Sequence, residues 1–336
     1  MNIDDLLSGK VNKREAELLW DIVSSGTKLR VRSLPIELDF AKDSSDRELM
    51  IFGFQDQIEL NVSSSAGFEI TVSSKDERTT LTMVRTSSED ARDLFVNFSD
   101  DLIRLMDNCQ GLTILQCAAM LESRIRAWQQ FMKKSSRVIS NAIEIGLFGE
   151  LSFMKAWLSR GGRPTRLLDI WNGALHGARD FTFSEGYAVE VKTSLSTNPL
   201  KVRIDSISQL DISDYPYLKL AVIKLEEVEA GDNLSSLREE ILDLLGKKEL
   251  QLEFESGLIS YGYNPENPGR KLRSFRTEYI RIFEAESLPR ITLGSIPGVV
   301  EAKYDIVIIS NSGDVLQGIV ECNPEEVFKK LTYLGM

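Results

Sequence analysis

The chain has 336 residues, a formal net charge of −11 at pH 7 and 42% hydrophobic residues. Its length predicts two domains with sizeable cores, and the lack of a long apolar stretch or a signal-peptide core predicts a cytoplasmic protein without membrane spans. The only histidine, His176, excludes zinc sites built on histidine pairs, and the three scattered cysteines fit a reducing compartment. An enzyme of this composition must therefore use carboxylates, lysine, hydroxyl groups and a hard metal ion.

The first 135 residues are predicted to form a β-rich domain with helices. A short helix lies within residues 1–24, and two longer helices cover 89–107 and 112–134. Runs typical of strands, separated by Asp, Ser and Gly turns, favour an antiparallel sheet that is covered on one face. These runs are residues 27–33, 48–54, 57–62, 67–73 and 78–85. This half contains no catalytic cluster, so we expect it to serve assembly, target contact or regulation.

Residues 136–336 are predicted to form an α/β (α+β) domain with a C-terminal extension. The boundary is placed at a change in sequence pattern in the KKSSRV segment, residues 133–138. The order is helix, three strands, helix, strand. The ranges are a helix at 140–159, strands at 165–171, 178–183 and 187–194, a short helix at 205–213 and a strand at 215–228. The extension adds helices at 233–246 and 324–335 and strands at 276–286 and 301–310.

A carboxylate stands at the margin of the buried face of the helix predicted over 140–159. Leucines 147 and 151 belong to an apolar stripe of helical spacing, and Glu150 lies beside that stripe. Gly146 and Gly149, both poor helix formers, lie one turn before Glu150 and next to it. Glycine at such positions is tolerated where another backbone must approach closely.

The segment 180–194, DFTFSEGYAVEVKTS, predicts a hairpin that carries three charges. Glu190 and Lys192 are two residues apart on a strand, so their side chains share a face. A two-residue loop would leave Asp180 on the other face, whereas a three-residue loop over 184–186 pairs Asp180 with Glu190. The second register is favoured because such loops place glycine in the left-handed conformation at their last position, where Gly186 stands.

Two facing carboxylates repel each other, and burial strengthens the repulsion. A divalent cation offsets both charges, and oxygen ligands suit Mg²⁺ or Mn²⁺, with Glu150 as a further oxygen donor, directly or through water. Lys192 could orient a water or stabilise charge that develops on a phosphate. The alternative is an ordinary ion pair on an exposed strand, since Asp-x₉-Glu-x-Lys arises often by chance in a chain with 51 acidic and 40 basic residues.

This region resembles the PD-(D/E)XK nuclease superfamily, whose core is a helix, three strands, a helix and a strand. GLFGELSFM at 146–154 looks like the acidic first helix, Asp180 matches the motif aspartate, and Glu190-Val191-Lys192 matches the (D/E)-x-K element. The combination is most similar to the bacterial "PD-(D/E)XK motif protein" family, whose genes lie in restriction or phage-defence neighbourhoods. Arg179 stands where the motif has its proline.

The resemblance implies a restriction-endonuclease-like fold and a set of site residues. The catalytic set is Asp180, Glu190, Lys192, Glu150 and Gln209, and the residues at the metal, Mg²⁺ or Mn²⁺, are Asp180, Glu190, Val191 and Glu150. Two islands without acidic residues, 151–168 and 191–204, flank the hairpin and would contact DNA. The predicted contacts are Arg163, Arg166, Thr193, Ser194, Lys201 and Arg203.

The function expected from these residues is metal-dependent DNA cleavage in a bacterial restriction or anti-phage system. The net acidity suggests a partner subunit or a narrow cleft, and cutting both strands of a duplex favours a homodimer. Two alternatives stay open. A catalytically silent nuclease fold could act as a DNA-binding or scaffold subunit, and a structural oligomer with a chance motif would place Asp180 and Glu190 on opposite faces of the hairpin.

Overall fold

The computed structural model describes residues 15–335 except 66, 87–90, 134–137, 173–178, 197–198 and 293–294. The chain divides into two compact units, residues 1–137 and 138–336. The predicted boundary between residues 135 and 136 lies outside the described residues. Within the described part, no helix is both long enough and apolar enough to span a membrane.

The first unit is a five-stranded antiparallel sheet with helices. Its strands follow the order β1-β2-β3-β5-β4, and alternate residues of β3 are buried, which leaves one face of the sheet covered. The strands are β1 (Lys28–Arg32), β2 (Glu37–Lys42), β3 (Glu48–Phe54), β4 (Phe68–Lys75) and β5 (Arg78–Arg85). The helices are α1 (Glu15–Ile22), α2 (Ala91–Asn108) and α3 (Ile114–Lys133), as predicted.

Two strand predictions in this unit were wrong. Residues 57–62 form no strand, because the main chain of Ile58 bonds to the hydroxyl of Thr79 at 2.8 and 3.1 Å instead of to a neighbouring strand. Strand β2 was missed, because its buried Asp39 breaks the expected pattern of a core strand. Asp39 is neutralised by Lys28 and Arg30 of β1, and this pairing is visible only in the fold.

The second unit begins with α4 (Asn141–Ser159), which confirms the helix predicted over 140–159. The side chain of Ser140 caps it by accepting a hydrogen bond from the Ile143 N–H at 3.2 Å. The strand predicted at 165–171 was wrong. Pro164 begins a 3₁₀ turn that leads directly into the short helix α5 (Leu167–Ile170), as proline favours at the first position of a helical segment.

The main sheet of this unit has the order β12-β10-β9-β7-β6. Its strands are β6 (Phe181–Thr182), β7 (Tyr187–Ser194), β9 (Tyr217–Asp232), β10 (Phe275–Glu284) and β12 (Glu321–Cys322). Strands β7 and β9 run parallel, and the other pairs are antiparallel. Strand β8 (Leu200–Ile204) leaves this sheet and pairs with β11 (Tyr304–Ile309) as a separate ribbon.

The connection from β8 to β9 contains a single 3₁₀ turn, Ile207–Leu210, where a short helix was predicted over 205–213. Three helices complete the unit: α6 (Leu234–Leu245), α7 (Lys248–Tyr261) and α8 (Pro324–Leu334). The sequence predicted α6 and α8 but not α7. The result is a mixed α/β fold in which the predicted helix α4 and the predicted hairpin of β6 and β7 are present, whereas β8 was not predicted.

The main sheet is buried on both faces. Helices α4, α6, α7 and α8 cover one face, where Val189 and Val191 lie in the larger hydrophobic cluster. Strands β8 and β11 cover the other face, where Ala188 and Leu220 belong to a second cluster. Because side chains alternate along a strand, Glu190 and Lys192 point toward the face covered by β8 and β11.

Candidate functional site

The hairpin of β6 and β7 has the register that its turn predicted. Phe181 pairs with Val189, and the N–H of Phe183 donates to the Tyr187 carbonyl at 2.8 Å. The loop over 184–186 ends with Gly186 at φ +74°, the left-handed conformation expected there. Asp180 is therefore aligned with Glu190 across the ribbon, in disagreement with the alternative that needs them on opposite faces.

Asp180 and Lys192 are tied to the same short piece of β7. The Val191 N–H donates to Asp180 Oδ2 at 2.7 Å, so Val191 contributes its main chain to the site. Lys192 Nζ lies 3.2 Å from Glu190 Oε1. It also donates to Gln209 Oε1 at 3.0 Å, and the same oxygen accepts the Asp205 N–H at 2.8 Å. Gln209, from the 3₁₀ turn after β8, thus fixes the lysine over the strand.

Burial raises the pKa values of the carboxyl groups at this site. Glu190 is 2% exposed, and burial together with the charge of Asp180 raises its pKa to about 8. Burial also raises the pKa of Asp180, although the Val191 N–H and the charges of Lys192 and Arg179 act in the opposite direction. Burial is the main cause of both raised pKa values, and the charges of Lys192 and Arg179 offset it only in part.

The third carboxylate, Glu150 of α4, is 4% exposed and is held by two neutral donors. Trp171 Nε1 donates to Glu150 Oε2 at 2.8 Å, and the Tyr261 hydroxyl donates to Glu150 Oε1 at 2.6 Å. Burial first, and then the charge of Asp180, raise the pKa of Glu150 well above its usual value. Burial and Glu150 also raise the pKa of Tyr261, so its phenol keeps the proton that it donates.

The glycines of α4 make room for this arrangement. A Cβ atom at Gly149 would lie 2.2 Å from Thr193 Oγ1, so glycine lets α4 pack directly against β7. At Gly146 the nearest atom to such a Cβ would be the Tyr261 hydroxyl oxygen, at 3.5 Å. The sequence predicted a close approach at these glycines, and the structure shows that side chains of β7 and α7 make it.

Asp180 and Glu190 fit a hard divalent cation. Asp180 Oδ1 and Glu190 Oε2 accept no hydrogen bond from any residue that the structure describes. Oxygen ligands and excess negative charge are the chemistry that Mg²⁺ and Mn²⁺ require. Across the described ranges, no three His, Cys, Asp or Glu side chains form a ligand group for one ion. Both oxygens of Glu150 are occupied by Trp171 and Tyr261.

The residues predicted to contact DNA after β7 lie close to the site. Lys201 and Arg203 project from exposed positions of β8. Arg203 lies 3.1 Å from Asp305 and 3.8 Å from Asp205, which is itself 3.9 Å from Lys192. Thr193 donates to the Ile145 carbonyl at 3.1 Å, and the buried Ser194 hydroxyl lies 2.8 Å from the hydroxyl of Ser196. Thr193 and Ser194 therefore make hydrogen bonds within the protein. The exposed cationic residues are Lys201 and Arg203 of β8.

The other basic island, residues 151–168, is largely paired with acidic residues of the protein. Arg166 lies 2.8 Å from Asp169, Arg160 bonds to Glu325 and Lys155 bonds to Glu240, while Arg163 is exposed. Asp169, a rival for the metal by its position before Asp180, has a largely exposed side chain in this ion pair. His176 lies outside the described residues.

Three residues at the site were not predicted. Arg179 is buried, donates to the Asp211 carbonyl and lies 5.7 Å from the Tyr215 ring centre. It occupies the position of the motif proline and brings a second cation to the carboxylates. Trp171 and Tyr261 hold Glu150 from α5 and α7. No local pattern indicates a contact across 111 residues, so only the fold reveals Tyr261.

An aspartate aligned with Glu-x-Lys on a hairpin of a mixed sheet defines the PD-(D/E)XK class of proteins. Comparison with protein families agrees with this class. Residues 27–309 match the family DUF4420, described as "Putative PD-(D/E)XK family member", and the chain belongs to this family. No curated protein and no solved structure matches the chain.

Proposed function

We propose that the protein is a Mg²⁺- or Mn²⁺-dependent nuclease that hydrolyses DNA phosphodiester bonds, in a bacterial restriction or anti-phage system. The observation that carries this proposal is the alignment of Asp180 with Glu190, with Lys192 ion-paired to the glutamate on the same face. Each carboxylate keeps one oxygen that accepts no hydrogen bond from the described residues. Family membership supports a nuclease-like fold, and the hairpin supplies the chemistry.

Asp180 and Glu190 would hold the ion, which supplies a Lewis acid for a phosphoryl oxygen and acidifies a bound water. Lys192 has a separate task. Gln209 and Glu190 hold its ammonium group over β7, so it can donate to an oxygen of the phosphate and offset the charge that develops there. Gln209 orients Lys192, and the main chain of Val191 orients Asp180.

DNA must approach from the edge formed by β8, where Lys201 and Arg203 are exposed. The net charge of −11 opposes binding of a long polyanion, so recognition depends on this short cationic edge together with a second copy of the chain or a partner subunit. Two copies would place one hairpin on each strand of a duplex.

The test is cleavage of plasmid DNA by the purified chain with Mg²⁺ or Mn²⁺, beside Lys192→Ala. We expect the variant to lose about 10²–10³-fold in rate, which is typical when one group that stabilises the transition state is removed. The matched control is Lys219→Ala. Lys219 is also a buried lysine of this sheet, ion-paired to Glu284 at 2.6 Å, but it points to the opposite face. Equal products from wild type and Lys192→Ala would refute the nuclease.

One observation favours a second candidate, a catalytically silent nuclease fold that serves as a DNA-binding or scaffold subunit. In the described part of the chain, Lys192 is engaged by Glu190 and Gln209, and no three potential ligands are grouped for one ion. Titration with Mn²⁺ separates the two functions. A nuclease binds Mn²⁺ in a way that Glu190→Gln abolishes, whereas a scaffold shows no such binding and tolerates the substitution.

A further inference from the structure

Helix α4 carries two buried glutamates that are held in different ways. Glu144 is fully buried and is neutralised by Arg270, whose Nη2 donates to it at 2.6 Å, with a second bond from the Arg273 N–H at 2.8 Å. Glu150, six residues later, receives its hydrogen bonds from Trp171 and Tyr261, which are neutral. A buried carboxylate that only stabilises the fold is normally paired with a cation. Glu150 is held in place by two hydrogen bonds, and neither donor is a cation.

The fold makes specific room for the two donors. The rings of Trp171 and Tyr261 are stacked at 6.5 Å and 15°. Gly257, in the interior of α7, faces Trp171, and a Cβ atom there would lie 2.7 Å from the indole. Glycine is a poor helix former, so the contact between α7 and the indole is maintained against helix propensity. Gly146 of α4 faces the Tyr261 hydroxyl at an ordinary contact distance of 3.5 Å, so the specific room is made at Gly257.

We propose that Tyr261 is a positioning residue of the metal site that acts through Glu150. This inference rests on the proposed function. Trp171 and Tyr261 occupy both Glu150 oxygens, which leaves Asp180 and Glu190 as the carboxylates with open oxygens. Glu150 therefore acts from outside the inner ligands, with both of its oxygens fixed by hydrogen bonds from α5 and α7. Outer groups of this kind orient the ligands and waters of a metal. Helix α7, beyond the predicted core, thus completes the site.

The test measures Mn²⁺ affinity by calorimetry, without DNA, for the full chain. The four proteins are wild type, Tyr261→Phe, Glu150→Gln and the double variant. Removal of an outer hydrogen bond lowers metal affinity by about tenfold or more, and we expect this loss in both single variants. Because Tyr261 acts through Glu150, the double variant should bind no more weakly than Glu150→Gln alone.

The matched control is Tyr263→Phe. Tyr263 lies two residues after Tyr261 and is fully buried, but its hydroxyl has no hydrogen-bond partner among the described residues. We expect wild-type Mn²⁺ affinity from this variant. A second control, Glu144→Gln, changes a buried glutamate of the same helix outside the site and should also leave the affinity unchanged.

Equal Mn²⁺ affinity in wild type and Tyr261→Phe would overturn the role of Tyr261 while leaving the nuclease intact. Additive losses in the double variant would overturn the route through Glu150. Absence of any Mn²⁺ binding that depends on Asp180 and Glu190 would refute the proposed function and this inference together. Thermal unfolding checks that each variant folds. If Tyr261→Phe does not fold, Glu150→Gln decides, because a wild-type affinity there equally overturns the proposal.

Discussion

Each of the two units buries a cluster of charged side chains, and the clusters differ in balance. In the first unit, Asp101 accepts hydrogen bonds from Arg124 Nη1 at 2.6 Å and from Trp128 Nε1 at 2.7 Å, and all three residues are buried. The carboxylate is matched by a guanidinium. In the second unit, Lys192 lies 3.2 Å from Glu190, and three acids, Asp180, Glu190 and Glu150, stand against two cations, Lys192 and Arg179.

The difference separates structural charge from charge available for binding. A buried ion pair with good geometry is tolerated because the two desolvated ions compensate each other. A buried group of acids in excess costs stability in the absence of a cation, and burial raises the pKa values of Glu150 and Glu190 accordingly. Substitutions in the first cluster should therefore change the stability of the fold. Substitutions in the second cluster should change the binding of a cation.

The largest effect on stability is expected at Arg124. Arg124→Leu leaves Asp101 buried without its cation and should lower the free energy of unfolding by about 3–5 kcal/mol. Urea unfolding measures this loss. Arg126→Leu is the control, because Arg126 pairs with Glu122 on the exposed side of the same helix and its loss should cost about 0.5 kcal/mol or less. Similar costs for both variants would show that burial of the first cluster is unimportant.

The next largest loss of stability is expected where α4 packs against β7, beneath the second cluster. Gly149→Ala pushes a methyl group against Thr193 and should cost about 1–3 kcal/mol. Gly146→Ala is the control on the same helix, since its methyl group meets only an ordinary contact at 3.5 Å and gains helix propensity. Thermal unfolding compares the two. A stable Gly149→Ala protein would mean that α4 can shift away from β7.

Glu190→Gln should raise the free energy of unfolding, in contrast to the substitutions at Arg124 and Gly149. Removal of one of two buried acids stabilises the metal-free protein by about 1–2 kcal/mol, as is common where a site is strained for function. Mn²⁺ should raise the melting temperature of the wild type but not of this variant. If Glu190→Gln destabilises the metal-free protein, the second cluster is balanced like the first.

The two clusters should also differ in pH dependence. Folding raises the pKa of Glu190 from about 4.5 to about 8, so the folded protein holds this proton more tightly than the unfolded chain. The resulting stability is full below pH 4.5 and is lost as the pH rises toward 8. Metal-free wild type should therefore lose stability across this range relative to Glu190→Gln, and Mn²⁺ affinity should increase. Parallel curves for the two proteins would contradict the raised pKa.

The smallest effect is expected at the exposed edge. Arg203→Ala should weaken DNA binding modestly and lower the salt slope by about 1, as for one phosphate contact. Asp305 already pairs with Arg203, which limits the gain that the arginine provides. The control is Arg276→Ala. Arg276 is an exposed residue of β10 that pairs with Glu226. Fluorescence anisotropy at several salt concentrations measures both variants, and equal slopes would exclude β8 from the interface.

The parts of the fold set by local chemistry were predictable. Gly186 fixed the hairpin register, because a three-residue loop ending in left-handed glycine permits one pairing. The helix over Asn141–Ser159 followed from its apolar stripe, and the structure adds its serine cap. The strand expected at 165–171 failed because apolar spacing in so short a run is ambiguous, and Pro164 turned the segment into helix.

The parts set by distant contacts were not predictable. Helix α7 was missed although it provides Tyr261, and β2 was missed because Asp39 finds its cations on a neighbouring strand. Arg179 was noted only as a departure from the motif, whereas it lies buried beside the carboxylates. The sequence thus indicated which acids converge, but the groups that hold them depend on tertiary structure.

The pairing of β8 with β11 also bears on how the chain folds during synthesis. Residues 200–204 find their partner strand only at 304–309, about one hundred residues further on. Contacts between distant segments form late because a long loop must close first. On the ribosome, the Lys192 face therefore stays open until the last strands emerge. A growing chain therefore carries the acids and the lysine before β11 completes the wall that covers them.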